Sequence, residues 1–138
     1  MKALLINKLY YPCIGGVENV VRQIAEGINN KGIEIDVLCA TKKGQGSIEI
    51  INGVRVFRAS SIAFWNSTPI SFSFFRLFKK IRNNYDIIDI HHPSPLAFLA
   101  YLLFKSKGKL IIHYHADIVR QKFLGFLMRP VIKKVLRM

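Results

Sequence analysis

Short apolar runs alternate with stretches of helical spacing along this chain. Residues 3–7 form an apolar run that predicts a buried strand, and a glycine-containing turn follows it. From Val17 to Ile28 the apolar residues recur with the spacing of one helix face, which predicts an amphipathic helix that ends before Gly32. A second apolar run over residues 35–40 predicts the next strand. Strand, glycine turn, helix and strand in this order indicate a right-handed βαβ unit.

The rest of the chain continues this alternation. Runs rich in β-branched residues over 48–51 and 54–58 flank Asn52-Gly53, and Asn-Gly between such runs predicts a hairpin. We predict that residues 59–71, which include a tryptophan and a proline, form a loop. The remaining predicted elements are a helix over 72–83, a strand over 86–91, a helix from Ser94 or Pro95 to about Lys105, a strand over 109–115 and a last helix over about 119–137.

The alternation predicts an α/β fold, namely a Rossmann-like, doubly wound parallel sheet with helices on both faces. A length of 138 residues fits one domain, and an apolar fraction of 51% excludes intrinsic disorder. The longest charge-free apolar stretch, residues 93–104, is shorter than the ~20 residues of a membrane-spanning helix. The first residues lack the pattern of a secretory signal, and Cys13 and Cys39 are too few for a disulfide framework. We therefore expect a cytoplasmic protein with reduced thiols.

Positive charge is concentrated in the later part of the chain. The formal net charge is +13. Residues 1–41 contain four basic and four acidic residues, so the whole net charge falls on residues 42–138. Such a one-sided field favours a phosphate-rich partner, which could be nucleic acid, an anionic membrane or a sugar nucleotide.

A pair of glycines lies where the first predicted strand turns into the first predicted helix. Gly15 and Gly16 would let the backbone approach an anion, and the helix N-terminus supplies unpaired N–H donors, so a diphosphate would be stabilised there. The alternative is that both glycines serve only the turn, with Glu18 favoured in the first helical turn by the helix dipole. The chain contains neither the G-x-G-x-x-G dinucleotide fingerprint nor a P-loop motif.

All four histidines lie at the ends of two predicted strands. His91 and His92 end one strand, His113 and His115 end the next, and doubly wound sheets bind ligands outside the carboxyl ends of their strands. Alternation along a strand places His113 and His115 on the same face, with His115 nearer the crevice. We predict a structural role for His113, whereas for His115, beside Asp117, a chemical role and a structural role both remain open. We predict no metal site, because no cysteine or carboxylate completes a zinc ligand set at a familiar spacing.

Two basic segments have alternative interpretations. The predicted helix over 72–83 combines apolar bulk with cations, which suits an anionic membrane surface but also an ordinary core-facing helix with a basic exposed face. Its aromatic residues could serve nucleic acid, but no recognised nucleic-acid module accompanies them. Asp117 can cap the last helix, and Arg120 and Lys122 in its first turn oppose the helix dipole, so they either meet an anionic ligand or are solvated. The cations predicted to dock on a membrane are Arg76, Lys79, Lys80 and Arg82.

Four segments in succession resemble the amino-terminal half of family 4 glycosyltransferases, and the resemblance covers essentially the whole chain. It implies the GT-B architecture, in which two Rossmann-like domains face a cleft. It also implies transfer of a sugar from a nucleotide diphosphate donor with retention of anomeric configuration, without a metal or other cofactor. The segments are Gly15-Gly16-Val17-Glu18, Lys31-Gly32-Ile33-Glu34-Ile35-Asp36-Val37, Asp86-Ile87-Ile88-Asp89-Ile90-His91 and Ile112-His113-Tyr114-His115.

The resemblance also implies roles for particular residues. Gly15 and Gly16 lie against the donor diphosphate. His115 resembles the active-site histidine that contacts the transferred sugar or the acceptor, and His91 resembles a strand-end histidine near the cleft. The turn that begins at His92 is where acceptor contacts are expected. Members that act on polysaccharide precursors often dock on membranes through basic helices of this domain, and they have acceptor-side residues similar to Asp117, Arg120 and Lys122.

The family's donor domain, with paired glutamates in an E-x7-E motif, would follow residue 138. We therefore interpret residues 1–138 as the acceptor-side domain of a retaining hexosyltransferase for cell-surface polysaccharide, peripheral on the inner face of the cytoplasmic membrane and inactive alone. Its expected partners are a nucleotide sugar, a glycan or lipid-linked acceptor and an anionic membrane. The alternative is a non-enzymatic module that binds a membrane or complements a separate donor-domain subunit. Nucleic-acid binding is not predicted.

Overall fold

The order of elements follows the predicted alternation of strands and helices. The computed structural model describes residues 1–115 and 122–137, and the bounds below refer to that part of the chain. Its strands are β1 (Lys2–Ile6), β2 (Glu34–Ala40), β3 (Ser47–Ile51), β4 (Val54–Ala59), β5 (Ala63–Trp65), β6 (Thr68–Ile70), β7 (Ile87–His92) and β8 (Lys109–Tyr114). Its α-helices are α1 (Gly16–Asn30), α2 (Phe72–Ile81), α3 (Pro95–Phe104) and α4 (Lys122–Leu136).

Six of these strands form one sheet in the order β3-β4-β2-β1-β7-β8. Neighbouring strands are parallel, except that β3 pairs antiparallel with β4 at one edge. The chain proceeds outward from β1 through β2 to β4, and then starts again at β7 on the other side of β1. This reversal between β1 and β7 creates the crevice in which doubly wound sheets bind ligands. The predicted α/β class, with its mostly parallel sheet, is confirmed.

Helices cover both faces of the sheet, because successive strand residues point to opposite faces. On one face, Leu5 of β1 packs in a buried cluster with Val21 of α1. On the other face, Leu4 of β1 shares a buried cluster with Phe78 of α2 and Phe98 of α3, and this cluster also includes a residue of α4. We refer to the two sides as the α1 face and the α3 face.

The predicted hairpin at Asn52-Gly53 is confirmed. The strands β3 and β4 pair antiparallel up to Ile51 and Val54, which leaves a two-residue turn. Asn52 has φ 50° and Gly53 has φ 84°, so both central residues lie in the left-handed region. Positive φ at both positions defines the type I′ turn that Asn-Gly favours.

The prediction of a loop over residues 59–71 is wrong, because β5 and β6 form a second, two-stranded sheet there. Their turn residues, Asn66 and Ser67, have φ values of 49° and 59°. Each strand has only three residues, which is too short for an alternating hydrophobic pattern to be detected. Proline also disfavours a strand, but Pro69 is tolerated in this two-stranded ribbon. The following helix, α2, also ends earlier than predicted, at Ile81, and continues as a 3₁₀ turn.

The two cysteines are free thiols in different surroundings. Cys39 is completely buried on the α1 face, and this burial raises the pKa of its thiol to about 12. Cys13 is half-buried in the turn before α1. Within residues 1–115 and 122–137, no helix combines the length and the hydropathy that a membrane crossing requires.

Candidate functional site

Three histidines and one aspartate form a row on the α1 face at the carboxyl ends of β7 and β8. His91 pairs in register with His113, and parallel partners point to the same face. Asp89 precedes His91 by two residues and His115 follows His113 by two, so all four side chains share that face. The imidazole centroids of His91 and His113 are 4.8 Å apart, and those of His91 and His115 are 5.1 Å apart.

Hydrogen bonds link the members of this row. His91 Nδ1 lies 2.8 Å from His115 Nε2, and His113 Nδ1 lies 2.7 Å from Asp89 Oδ1. The second carboxylate oxygen, Asp89 Oδ2, is 3.6 Å from His91 Nε2. Asp89 and His91 are buried, whereas the side chain of His113 is 45% exposed. A buried carboxylate therefore supports an imidazole pair that extends toward solvent.

The surroundings of His115 favour its neutral form. Burial lowers the pKa of His115 most, the neighbouring imidazoles of His91 and His113 lower it further, and the Asp89 carboxylate opposes them. A neutral imidazole has one N–H and one lone pair. Nε2 is engaged with His91, and Nδ1 makes no hydrogen bond to a described residue. His115 Nδ1 is therefore a ring nitrogen at the end of the sheet that has no hydrogen-bond partner among residues 1–115 and 122–137.

The row lies beside the crevice between β1 and β7. The register that pairs Leu5 with Asp89 would place Asn7, directly after β1, opposite His91. Asn7 is fully buried, and its amide nitrogen donates to the carbonyl of Leu9 at 2.8 Å. Asn7 Oδ1 and His91 Nε2 are buried without a hydrogen-bond partner among the described residues. Buried polar atoms without partners are costly, so Asn7 Oδ1 is a candidate for contact with a ligand, whereas His91 Nε2 lies 3.6 Å from the Asp89 carboxylate.

The glycine turn lies at the carboxyl end of β1, on the same edge of the sheet. Gly15 is the N-cap of α1 and Gly16 is its first residue. The carboxylate of Glu18 is buried against Gly15, where an added Cβ would overlap it. By contrast, a Cβ added at Gly16 would have no neighbouring atom within 4 Å. The backbone at Gly16 is therefore open to a ligand at the helix N-terminus.

The structure separates His92 from this row. Its ring stacks on Tyr114 with centroids 4.7 Å apart and meets Phe98 of α3 edge-on at 5.5 Å. His92 is only 2% exposed and lies on the α3 face, opposite to His91. Of the other residues predicted for the acceptor side, Asp117 and Arg120 lie outside the described residues. The backbone of Lys122 begins α4, but the structure does not describe its side chain.

The basic helix α2 has both a core face and an exposed cationic face. Phe74, Phe78 and Ile81 are buried in the sheet's α3-face cluster. Arg82 is engaged within the protein, since its Nε donates to the carbonyl of Phe104 at 3.1 Å and its Nη1 to the carbonyl of Lys79. The exposed cations that remain are Arg76, Lys79 and Lys80.

Asp89 was not predicted as a site residue. It supplies the carboxylate whose absence led us to predict no metal site beside the histidines. Ligand atoms of Asp89, His91 and His113 lie within 4.8 Å of one another, so a metal site has to be considered. However, two ligands of one zinc ion are separated by about 3.3 Å when bond lengths are ~2.0 Å. The 2.7 Å between Asp89 Oδ1 and His113 Nδ1 is instead the length of a charge-assisted hydrogen bond.

The comparisons with known proteins agree with this architecture. A family model described as Glycosyltransferase Family 4 matches residues 14–138. The chain belongs to glycosyltransferase family 4. Its sheet, with helices on both faces, is the amino-terminal Rossmann-like half of the GT-B fold that this family has.

Two curated relatives match almost the whole chain. The O-antigen chain mannosyltransferase C of Escherichia coli is 32% identical over 137 residues, which are 99% of this chain and 37% of that protein. The D-rhamnosyltransferase WbpZ of Pseudomonas aeruginosa strain PAO1 is 30% identical over 137 residues, which are 99% of this chain and 36% of that protein. The chain thus spans little more than a third of the length of these relatives.

Proposed function

We propose that this chain is the acceptor-side half of a retaining sugar transferase for cell-surface polysaccharide. The observation that carries the proposal is the row formed by the buried Asp89 and His91 and the half-buried His115, beside the crevice of a family 4 domain. The names of the two relatives support a donor of the nucleotide diphosphate mannose or deoxyhexose class and a glycan acceptor. No step of this proposal requires a metal or another cofactor.

In this proposal the chain supplies one wall of the active site. The N-terminus of α1, opened by Gly16, binds the donor diphosphate through backbone N–H groups, which stabilise the charge that develops on the leaving group. His115, whose Nε2 is engaged with His91, presents its Nδ1 to a hydroxyl of the sugar or of the acceptor. Asn7 Oδ1 offers a second buried acceptor at the same edge of the sheet. Retention requires both substrates to be held on one face of the transferred sugar.

The remaining part of the active site belongs to a donor-side domain. The chain spans 37% of the E. coli relative, and we assign the nucleotide pocket to the part of such a protein that this chain does not match. We therefore infer that residues 1–138 alone turn over no sugar nucleotide. The alternative, in which the chain complements a separate subunit or acts only as a binding module, predicts an E-x7-E segment in another polypeptide rather than downstream in the same reading frame.

A chimera tests the proposed activity. Residues 1–138 would replace the matched 37% of the E. coli mannosyltransferase, and the fusion would be assayed with a nucleotide diphosphate mannose and that protein's own acceptor. We expect sugar transfer by the chimera, with the donor's anomeric configuration retained in the product, and none by residues 1–138 or by the donor-side part alone. A folded chimera that binds donor without transferring sugar would contradict the proposal, as would turnover by residues 1–138.

The role of the glycine turn yields a sharper prediction. Gly16→Ala is expected to weaken binding of a nucleotide diphosphate mannose to the chimera at least tenfold while leaving the melting temperature unchanged or slightly higher. Apart from its chain neighbours and the backbone of its own helix, the added methyl group has no described atom within 4 Å, so we attribute any loss of affinity to the ligand. Isothermal titration calorimetry and thermal unfolding measure the two quantities.

Gly27→Ala is the matched control for this prediction. Gly27 lies further along α1, is exposed, and likewise has no atom within 4 Å of an added Cβ. We expect this variant to bind the donor with unchanged affinity. Equal affinities for Gly16→Ala, Gly27→Ala and the unmodified chimera would exclude close approach of the diphosphate to Gly16.

We further propose that the exposed side of α2 docks the enzyme on an anionic membrane that carries its acceptor. Arg76, Lys79 and Lys80 lie exposed on this helix, and its first residue, Phe72, is also exposed. Arg76 and Lys80 line a shallow groove with Arg58, and the preceding hairpin exposes the aromatic residues Phe64 and Trp65. Cations beside exposed aromatic residues suit a headgroup interface.

Charge reversal tests this docking surface. The triple variant Arg76→Glu, Lys79→Glu and Lys80→Glu is expected to abolish salt-sensitive sedimentation with vesicles of phosphatidylglycerol and phosphatidylcholine, because each basic residue near the surface contributes about 1 kcal/mol. Arg82 is left intact because it binds the carbonyl of Phe104.

A second triple variant controls for net charge alone. Lys31, Lys107 and Lys109 are exposed outside α2, and reversing them changes the net charge by the same amount. We expect this variant to retain vesicle binding. Equal losses in both triple variants would show that only the overall field matters, and stronger binding to duplex DNA than to vesicles would favour the nucleic-acid alternative.

A further inference from the structure

We propose that Asp89 is a positioning residue that sets, through His91, which ring nitrogen of His115 carries the proton. This inference concerns the use of His115 in the proposed function and therefore rests on that function. It assigns an electrostatic role to a carboxylate in the interior of β7, and it rests on three contacts within the row.

The first contact lies between Asp89 and His91. Asp89 Oδ2 and His91 Nε2 are 3.6 Å apart, and both side chains are almost completely buried. His91 Nε2 makes no hydrogen bond to a described residue, so the carboxylate is the nearest described charge that can orient it. In a buried environment, a negative oxygen at this distance favours an N–H dipole directed at it over a lone pair. We therefore assign the proton of neutral His91 to Nε2.

The second contact transmits this choice to His115. When Nε2 of His91 carries the proton, Nδ1 has the lone pair and can only accept a hydrogen bond. Its partner at 2.8 Å, Nε2 of His115, then has to be the donor. The lone pair of neutral His115 consequently lies on Nδ1, the nitrogen that makes no hydrogen bond to a described residue. Without the Asp89 charge, the opposite arrangement of protons would satisfy the same hydrogen bond.

The third contact keeps Asp89 in place. His113 Nδ1 lies 2.7 Å from Asp89 Oδ1, so its N–H donates to the carboxylate and fixes the other oxygen toward His91. His113 thus holds Asp89 in place, and it takes no part in the hydrogen bond between His91 and His115. The consequence for chemistry is that His115 Nδ1 is an acceptor for a substrate hydroxyl, and a proton arriving there leaves an imidazolium that Asp89 stabilises across His91.

Nitrogen NMR on the unmodified chain tests the assignment. The four histidines are the only ones in the protein, so selective ¹⁵N-histidine labelling gives four imidazoles to assign. We expect the proton shared by the two rings to show its one-bond ¹⁵N coupling to His115 Nε2, and His115 Nδ1 to have the shift of an unprotonated nitrogen. A one-bond coupling to His91 Nδ1 would overturn the proposal.

A substitution at Asp89 then tests the cause. In Asp89→Asn, the amide oxygen still accepts from His113 and the amide nitrogen faces His91, which now favours a lone pair at His91 Nε2. We expect the ratio of the two tautomers of His115 to change more than tenfold toward Nδ1–H. An unchanged ratio in the folded variant would overturn the role of Asp89, and the coupling in the unmodified chain decides the matter if the variant does not fold.

Three further arms separate this proposal from its competitors. In His113→Asn, the amide nitrogen can still donate to Asp89, which keeps its charge and its place, so the His115 tautomer should persist. Stoichiometric Zn²⁺ should leave the His91 and His113 nitrogen shifts unchanged, whereas metal-induced shifts at micromolar concentrations would show a metal centre instead. In the chimera, a tautomer change without any loss of sugar transfer would contradict the proposed function of His115 and leave the role of Asp89 standing.

Discussion

Replacing His115 with alanine is expected to lower kcat/KM of the chimeric transferase about 10²–10⁴-fold, the range typical of a positioned group that exchanges a proton or a hydrogen bond with the reacting atoms. His115 lies at the end of β8 beside the crevice, its Nδ1 makes no hydrogen bond within the described part of the chain, and the variant removes this nitrogen. Because the loss concerns the transition state, the affinity for the donor should change little. Steady-state kinetics with varied donor and acceptor measure both parameters.

The activity should also depend on pH in a defined direction. His115 has to be neutral to accept a hydrogen bond, and burial together with the imidazoles of His91 and His113 lowers its pKa below 6.5. We therefore expect kcat/KM to remain constant as the pH falls to about 6.5 and to decrease below it, as His115 becomes protonated. In His115→Ala, this acid limb should disappear.

Two controls make the His115 result interpretable. The side chain is only half-buried, so the melting temperature of the variant should fall by no more than a few degrees. The calorimetric affinity for a nucleotide diphosphate mannose should stay within threefold of that of the unmodified chimera. A folded His115→Ala chimera with unchanged kcat/KM would remove His115 from the reaction.

Local signals were sufficient to predict most of the fold. The helical spacing from Val17 predicted α1, and Asn52-Gly53 predicted the hairpin, because these signals act over a few neighbouring residues. The ribbon of β5 and β6 escaped prediction since its strands have three residues each and its turn is Asn66-Ser67. A strand that short has no periodicity to detect.

The candidate site was predicted only in part. The pattern placed His91, His113 and His115 at the ends of neighbouring strands, and the structure brings these three together. Asp89 was missed because its partner in the structure, His113, is 24 residues away, and only the register of β7 against β8 makes the two meet. The one signal available in the sequence was that Asp89 is a charged residue within an otherwise apolar strand segment. Asn7 was missed for the same reason, since its position opposite His91 depends on the register of β1 against β7.

His92 shows the opposite problem, in which residues adjacent in sequence lie apart in the structure. Its neighbour in sequence, His91, belongs to the row on the α1 face, and proximity in sequence made both look like crevice residues. Alternation along β7 directs His92 to the α3 face, where it stacks on Tyr114 and meets Phe98. The predicted contact between His92 and the acceptor remains a prediction. It applies to the turn after β7 and not to the row of histidines on the α1 face.

The substitution Phe78→Ala is expected to lower the free energy of unfolding by about 3–5 kcal/mol, the usual cost of deleting a buried aromatic side chain. Phe78 has no exposed surface, and the centroid of its ring lies 6.4 Å from the ring centroid of Tyr101 in α3. The cavity would open in the contact between α2 and α3, which the surrounding residues can fill only in part. Urea denaturation monitored by circular dichroism measures the change.

Phe72→Ala provides the matched comparison within the same helix. Phe72 is 66% exposed, so its truncation should change the free energy of unfolding by less than about 0.5 kcal/mol. If α2 docks on a membrane, this variant should nevertheless weaken vesicle sedimentation, since the lost ring would have entered the headgroup region. Full vesicle binding by Phe72→Ala would instead leave only the cations in contact with the surface. A large loss of stability in Phe72→Ala would contradict the division of α2 into a core side and an exposed side, on which the docking proposal depends.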